Sequence, residues 1–236
     1  MSLTARLRAR LTAEGYLVFQ LLAGAVAIVG AALVFGYLAI NISAGEPLTL
    51  LDARITLWFH GHARSPYTET MLGVSLVNGI AGISILVVVF GAFLAFRREW
   101  QWVAFTVAAV PGGMVINVLA KLAFARQRPA FDDPLVILST YSFPSGHTVS
   151  STLFYGTLAA FLTPRVPPSA RPGLWIAAMA IVTLVGFSRI YLGAHYLTDV
   201  VAGFAEGIAW LSCCAVAWST YLWRASHLGA RSMVAP

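Results

Sequence analysis

The stretch from Tyr16 to Ile40 is 25 residues long and contains no charged side chain. About 20 apolar residues are enough to cross a bilayer as a helix, so this stretch predicts a membrane span. A signal peptide has an apolar region of only about 7–15 residues, so we interpret the stretch as a retained span. The whole chain fits this reading: 59% of its 236 residues are hydrophobic and 10% are charged, against about 25% charged in soluble domains.

Apolar segments of this kind recur along the chain and predict an all-α, polytopic membrane protein with six transmembrane helices. A single domain is expected over residues 1–236, because the segments are joined by mostly short connections. The predicted spans are Tyr16–Ile40, Thr70–Phe96, Trp100–Phe124, Thr148–Leu162, Gly173–Phe187 and Leu197–Trp223. The third contains Pro111-Gly112-Gly113, which we interpret as a site of close helix packing rather than a break.

Two of the connections are longer than the rest, residues 41–69 and 125–147. The first contains LDARITLWFHGHA, in which apolar and charged residues are mixed. This pattern predicts an amphipathic helix that lies along the membrane surface.

Basic residues are unequally distributed between the two ends of the predicted bundle. Six lie on one side, and four of those belong to or adjoin the candidate site described below. Nine lie on the side of both termini: Arg6, Arg8, Arg10, Arg97, Arg98, Arg165, Arg171, Arg224 and Arg231. The excess of basic residues in cytoplasmic loops predicts that both termini are cytoplasmic. Because the net charge of +6 is explained by span ends, nucleic acid is not expected as a partner.

Three cations lie at the outer ends of predicted spans. Lys121 and Arg128 are seven residues apart, two helical turns, so a helix would place both on one face. Arg189 comes from the far end of the fifth span. Single basic residues at a headgroup boundary usually only snorkel to the surface. Three that converge are better suited to hold the oxygens of a phosphate group.

The segment SFPSGHT, residues 142–148, leads directly into the fourth span. Pro144, Ser145 and Gly146 predict a turn, and the amides that follow would lie at a helix N-terminus, where phosphate oxygens bind well. Ser145 could equally cap the helix, and the two roles are compatible. His147 on the first turn could protonate a leaving group.

His195 and Asp199 stand at positions i and i+4, which predicts that they share one face at the start of the sixth helix. A carboxylate bonded to one ring nitrogen would leave the other free to attack. A pair at this spacing can also be a capping or packing arrangement. Zinc chemistry is not indicated because a third ligand is lacking, and His60 and His62 are interpreted as polar surface residues. The cations, the two histidines and the carboxylate of the three segments are different, because such a concentration of polar groups close to a bilayer is by default a functional site.

The three segments together resemble the signature of the type 2 phosphatidic acid phosphatase superfamily. The matching patterns are K-x6-RP (Lys121–Pro129), PSGH (Pro144–His147) and SR-x5-H-x3-D (Ser188–Asp199), in the expected order over residues 121–199. The resemblance implies that His195 attacks phosphorus to form a phosphohistidine, that Asp199 polarises it, and that His147 protonates the leaving oxygen. The phosphate oxygens would be held by Lys121, Arg128, Ser145, Gly146 and Arg189. It implies no metal and no cofactor.

The resemblance further implies a lipid phosphatase of the bacterial inner membrane, with its active site on the extracytoplasmic side. Candidate substrates are undecaprenyl diphosphate, phosphatidylglycerophosphate and phosphatidic acid, and carrier-lipid recycling or broad specificity fits an outward-facing site best. Lipid A dephosphorylation and phosphotransfer to another lipid stay open. An anion or lipid transporter would need charges near the midplane. A relative that only binds lipid is a further alternative, whereas the hydropathy excludes the soluble haloperoxidases of the same superfamily.

Overall fold

The computed structural model describes residues 13–45 and 47–232. Arg6, Arg8 and Arg10, which entered the prediction of orientation, lie outside these residues, as does the side chain of Arg231. The described chain is all-α and contains no strand. Its helices are α1 (Ala13–Ala44), α2 (Pro47–Gly61), α3 (Tyr67–Val77), α4 (Ile80–Phe96), α5 (Trp100–Phe124), α6 (Gly146–Leu162), α7 (Arg171–Tyr191) and α8 (Leu197–Ser232), with a short 3₁₀ turn at Thr163–Arg165.

Four described helices are long and apolar enough to cross a membrane: α1, α5, α7 and α8. The pair α3 and α4 would make a fifth span if it is counted as one bent element. Helix α6 has 17 residues, which is short for a crossing of about 20 residues. The structure thus supports a multi-span helical architecture, and the count of six spans stays a prediction.

The predicted span Thr70–Phe96 is wrong as a single helix. It is broken at Asn78 and Gly79, and α3 and α4 meet there at an angle of 48°. Hydropathy is insensitive to such a bend because both halves are apolar. Gly82 permits it: a Cβ at this position would lie 2.0 Å from the backbone oxygen of Val77.

Substitution of Gly82 by alanine is expected to lower the free energy of unfolding by about 1–3 kcal/mol, because backbone at the bend would have to move. Gly91→Ala in the same helix is the control, since a Cβ there meets nothing within 4 Å. It should be neutral or stabilise by up to about 1 kcal/mol through helix propensity. Thermal melting of both variants in detergent tests this, and equal melting points would contradict it.

The interpretation of Pro111-Gly112-Gly113 as a packing contact is confirmed. Helix α5 continues through all three residues. A Cβ on Gly113 would lie 2.3 Å from the Leu153 side chain and 2.8 Å from that of Trp210. The glycine therefore allows α5 to approach both α6 and α8.

Helix α6 lies at the centre of the bundle, in contact with α4, α5, α7 and α8. Its apolar side chains join those of α4 and α5 in the main core, which includes Phe90, Val110, Leu153 and Phe161. The predicted helix in residues 41–69 is present as α2, which packs against α1, α7 and α8. The N-termini of α6 and α8 and the C-termini of α5 and α7 meet at one end of the bundle.

Candidate active site

The three predicted segments meet at this end of the bundle. The backbone N–H of Ser145, which precedes α6, donates to the Asp199 carbonyl oxygen in α8 (3.0 Å). The Ser142 N–H donates to the carbonyl of Arg126, just after α5 (2.8 Å). After α7, the amides of Ala194 and His195 both donate to the Arg189 carbonyl (3.0 and 3.2 Å). Main-chain hydrogen bonds therefore fix all three segments to one another.

Lys121 and Arg128 converge, but not by the predicted route. Helix α5 ends at Phe124 and Ala125 takes a left-handed conformation (φ 45°), so Arg128 is not on the helix. The residue before a proline avoids helical geometry, and Arg128 precedes Pro129. The chain instead folds back, so that Lys121 Nζ and Arg128 Nη2 both donate to the carbonyl oxygen of Tyr141 (2.7 and 3.2 Å).

The pair His195 and Asp199 also meets in a different setting from the one predicted. Helix α8 begins at Leu197, so His195 lies in the turn before it, which follows Gly193 in a left-handed conformation (φ 65°). Nδ1 of His195 nevertheless lies 3.4 Å from Oδ2 of Asp199. The predicted contact is therefore present, although the two residues do not share a helical face.

The hydrogen bonds of His195 assign its tautomer. Arg128 Nη1 lies 3.1 Å from the ring Nε2. A guanidinium can only donate, so Nε2 must be the acceptor and the ring proton must be on Nδ1, facing Asp199. The ring thus presents a lone pair toward a cation, and an anion bound by that cation would lie beside it.

Burial keeps this imidazole neutral. His195 is 1% exposed. Removal from water lowers its pKa to about 3, with Asp199 opposing and Arg128 and Lys121 reinforcing the shift. Burial likewise lowers the pKa of Arg128 from its ordinary value, although Asp199 opposes this, and an arginine stays charged in proteins. A neutral imidazole beside a charged guanidinium is the state a nucleophile needs.

Arg189 is a buried cation without a carboxylate partner among the contacts of the described residues. It is 1% exposed, it donates from Nη1 to the Ser75 hydroxyl, and its Nε has no hydrogen-bond partner. A buried charge is costly unless it is paired. The empty donor thus indicates a site for an anion.

His147 lies on the first turn of α6, within electrostatic range of His195 and of the three predicted cations Lys121, Arg128 and Arg189. Its Nε2 approaches Gly79 at the bend between α3 and α4, 3.4 Å from where a Cβ would be. The two histidines and the cations therefore lie together at this end of the bundle, as the sequence predicts.

Ser145 and Gly146 begin α6 as expected, with one correction. Ser145 is the N-cap residue, but its side chain makes no capping bond and accepts a hydrogen bond from the Thr148 hydroxyl (3.1 Å). Its amide is engaged by the Asp199 carbonyl, so it is not free for a phosphate. A Cβ on Gly146 would lie 3.1 Å from Asn117 Oδ1, which explains the glycine at this contact with α5.

Sequence reasoning missed several residues that support the site. Ser142 donates to Oδ2 of Asp199 and lies 3.4 Å from His195 Nδ1. Arg126 donates from Nη1 to Oδ1 of Asp199 (2.5 Å) and from Nη2 to Asp52 (2.9 Å). Two features of the sequence could have indicated these residues. Ser142 lies within SFPSGHT, and Asp52 is the single acidic residue of the amphipathic segment LDARITLWFHGHA.

In the described part of the chain, His60 and His62 make none of their contacts with the cations that are predicted to bind phosphate. His60 pairs with Asp133 (2.9 Å) and stacks on Phe131, whereas His62 bonds to the carbonyl oxygen of Trp58 (2.7 Å). Within residues 13–45 and 47–232, no three His, Cys, Asp or Glu side chains are grouped as metal ligands.

Comparison with known proteins agrees with this geometry. Residues 100–224 match the PAP2 superfamily. Phosphatidylglycerophosphatase B of Bacillus subtilis is 36% identical over 149 residues, which cover 61% of this chain and 72% of that protein. The undecaprenyl-diphosphatase of Sulfolobus acidocaldarius is 30% identical over 50% of this chain and 56% of that protein. The lipid A 1-phosphatase of Rhizobium johnstonii is 32% identical over 62% of this chain and 58% of that protein.

Solved structures extend the likeness to the fold. The crystal structure of a transmembrane PAP2 type phosphatidylglycerolphosphate phosphatase from Bacillus subtilis superposes with a TM-score of 0.74 at 30% identity, over 80% of this chain and 94% of that one. Aquifex aeolicus LpxE shares the fold with a TM-score of 0.52 at 23% identity, over 72% of this chain and 96% of that one. The chain is therefore a multi-pass membrane member of the PAP2 superfamily, among relatives that are lipid phosphatases.

Proposed function

We propose that the protein hydrolyses a lipid phosphate or diphosphate without a metal ion, through a phosphohistidine on His195. The observation that carries this proposal is the contact of Arg128 with Nε2 of His195, on the ring whose Nδ1 faces Asp199. A phosphate that replaces the ring as partner of Arg128 would bring its phosphorus next to the freed Nε2 lone pair.

In the first step, Nε2 attacks phosphorus and the bond to the leaving oxygen breaks. His147 donates its proton to that oxygen, and Asp199 stabilises the proton on Nδ1. In the second step, neutral His147 removes a proton from water, whose oxygen attacks phosphorus, and the phosphorus–nitrogen bond breaks to release phosphate. Lys121, Arg128 and Arg189 balance the charge on the phosphate oxygens, which is the main demand of phosphoryl transfer.

We place the site at the extracytoplasmic face of a six-span protein, with both termini in the cytoplasm and in the inner membrane of a bacterium. The support is the excess of basic residues, counted in the sequence, on the side that is predicted to hold both termini. A site at headgroup level lets the substrate keep its chain in the bilayer, which favours a lipid over a soluble phosphate.

The candidate substrates are undecaprenyl diphosphate, phosphatidylglycerophosphate and phosphatidic acid. The names of two relatives agree with the first two. A third relative is a lipid A 1-phosphatase, which keeps lipid A as an alternative substrate. Transfer of the phosphoryl group to a lipid alcohol instead of water would use the same intermediate.

A phosphate-release panel on the purified protein tests the proposal. It contains the three candidate lipids, lipid A and glucose 6-phosphate, in detergent micelles and again in liposomes, with EDTA present throughout. We expect release from at least one lipid and none above background from the sugar phosphate. Turnover of the sugar phosphate alone would contradict the proposed substrate class, and a requirement for added metal would contradict the mechanism.

The pH dependence should differ from that of an ordinary histidine pair. The reaction needs neutral His195, whose pKa is lowered to about 3. Activity is therefore present above that value and lost only as the pH falls through it, not through about 6.5. The negative charge of the bound phosphate would have to keep the proton on His147, so deprotonation of His147 in the enzyme–substrate complex should give the basic limb of a bell-shaped profile of kcat. The ionisation of the substrate itself is measured by ³¹P NMR, and the profile is corrected for it. An acid limb that remains near pH 6.5 after this correction would contradict the prediction.

A further inference from the structure

One buried carboxylate next to the site takes no part in the chemistry proposed above. Asp52 lies in α2, outside residues 100–224 that match the family, and is 1% exposed. A buried carboxylate is costly unless it is paired and hydrogen-bonded. Its partners therefore identify what it does.

The described partners of the Asp52 carboxylate lie on two of the three segments that form the site, one just after α5 and one at the start of α8. Oδ1 accepts the backbone N–H of Thr198 (3.0 Å), and Oδ2 accepts the Thr198 hydroxyl and Arg126 Nη2 (2.9 Å). The Thr198 amide is in the first turn of α8, where N–H groups lack partners within the helix. Asp52 thus supplies that partner from a helix 146 residues away in sequence.

Arg126 connects Asp52 to the catalytic pair. Its Nη1 donates to Asp199 Oδ1 (2.5 Å) and to Thr198 Oγ1 (2.8 Å), and its guanidinium lies 4.2 Å from the centre of the Tyr196 ring. Burial opposes its charge, but the carboxylates of Asp199 and Asp52 outweigh burial and raise the pKa of Arg126 above its ordinary value. A permanently charged, planar group is thus shared between two buried carboxylates.

We propose that Asp52 is a positioning residue for the nucleophile, which acts through Arg126 on Asp199 and thereby on His195. This inference rests on the proposed function. Asp52 fixes the orientation of the Arg126 guanidinium and neutralises part of its positive charge. Asp199 therefore keeps enough negative charge to hold the proton on Nδ1 of His195. Helix α2, outside the matched region, is in this way part of the catalytic apparatus.

Removal of the charge at Asp52 should impair the chemical step rather than binding. With Asp52→Asn, the whole charge of Arg126 would act on Asp199, which would become a weaker acceptor for the His195 ring. In metal sites, loss of an outer partner that orients a ligand costs about 10–100-fold, and we expect a loss of the same order here. Asp52 contacts none of the predicted phosphate-binding cations, so kcat should fall by that factor while KM stays unchanged.

The test is a double-mutant cycle with Asp52→Asn, Arg126→Gln and the combined variant, assayed in detergent with the best substrate of the panel. If Asp52 acts through Arg126, the Asp52 substitution should lower kcat in the wild-type background and cost little more in the Arg126→Gln background. Asp52→Glu should recover part of the lost kcat, because it restores the charge.

Asp133→Asn is the matched control, because Asp133 is 90% exposed at its side chain and pairs with His60, which lies in α2 like Asp52. It should leave kcat unchanged. An unaffected kcat in Asp52→Asn, a rise in KM alone, or losses that multiply in the combined variant would overturn the inference. If Asp52→Asn is not recovered folded, Arg126→Lys replaces it. That variant keeps the charge but cannot bridge two carboxylates, so the inference requires a lower kcat at unchanged KM, and a wild-type kcat overturns it.

A wild-type protein that releases no phosphate from any lipid would refute the proposed function. An active wild type with an unaffected Asp52→Asn variant would refute only the role of Asp52.

Discussion

Replacement of His195 by alanine is expected to abolish phosphate release. Without Nε2 no covalent intermediate forms, and the remaining groups can only bind and polarise the substrate. Loss of the nucleophile in a comparable covalent mechanism lowers kcat by about 10⁶-fold. The measurement is single-turnover phosphate release at saturating lipid, together with thermal melting to verify the fold.

The control for His195 is His62→Ala, because the His62 side chain bonds to the Trp58 carbonyl oxygen and stacks on the Trp58 ring. That variant should keep wild-type activity. Full activity in His195→Ala would exclude it as the nucleophile, whereas loss in both variants would indicate a general structural effect.

Arg189→Met is expected to have opposite effects on activity and stability. Removal of one preorganised hydrogen-bond donor to a charge that develops in the transition state typically lowers the rate by about 10²–10³-fold. We expect Arg189→Met to lower kcat/KM by the same factor. In the empty protein, however, Arg189 is buried with an unpartnered Nε. Exchange of a buried charged group for an apolar side chain of similar volume is often neutral or stabilising by about 1–4 kcal/mol. The melting temperature should therefore not fall.

Arg165→Met provides the comparison at the opposite end of the bundle. Arg165 pairs with Glu99 (2.6 Å) and lies 3.6 Å from the centre of the Phe161 ring. Its loss should leave kcat/KM unchanged and cost at most about 1 kcal/mol, as is usual for a partly exposed ion pair. A marked fall in the melting temperature of Arg189→Met with intact activity would mean that Arg189 is structural and does not bind phosphate.

The sequence was sufficient to predict which residues come together in the candidate site, because these polar residues stand out against apolar segments. Lys121, His147 and His195 come from three segments, and hydropathy puts all three at the same end of the bundle. Their grouping follows from topology alone, without knowledge of any side-chain contact. The helical architecture likewise follows from segment length and composition.

Local backbone geometry was harder to predict. The seven-residue spacing of Lys121 and Arg128 suggested a continuous helix, but the left-handed Ala125 ends α5 and a fold-back of the chain brings the two cations together instead. Similarly, the i,i+4 spacing of His195 and Asp199 does not reveal that α8 starts between them. Periodicity assumes regular backbone and fails where a turn takes its place.

The network of Asp52 and Arg126 could not be predicted because its members are 74 residues apart and belong to no shared motif. Asp52 is one acid in an amphipathic helix, where an exposed polar face is the ordinary expectation. Only the packing of α2 against α8 turns its side chain toward Thr198 and Arg126. Long-range pairing of this kind depends on tertiary structure.

The most direct test of the account is to trap the enzyme intermediate. Wild-type protein and His147→Asn would be mixed with ³²P-labelled substrate, quenched in alkali, in which phosphohistidine survives, and digested for mass spectrometry. We predict label on His195 in both proteins. With a good leaving group such as nitrophenol, formation of the intermediate does not need His147 but its hydrolysis does, so more label should accumulate in His147→Asn. Phosphate release within one turnover without label on His195, or label on another residue, would contradict the central claim.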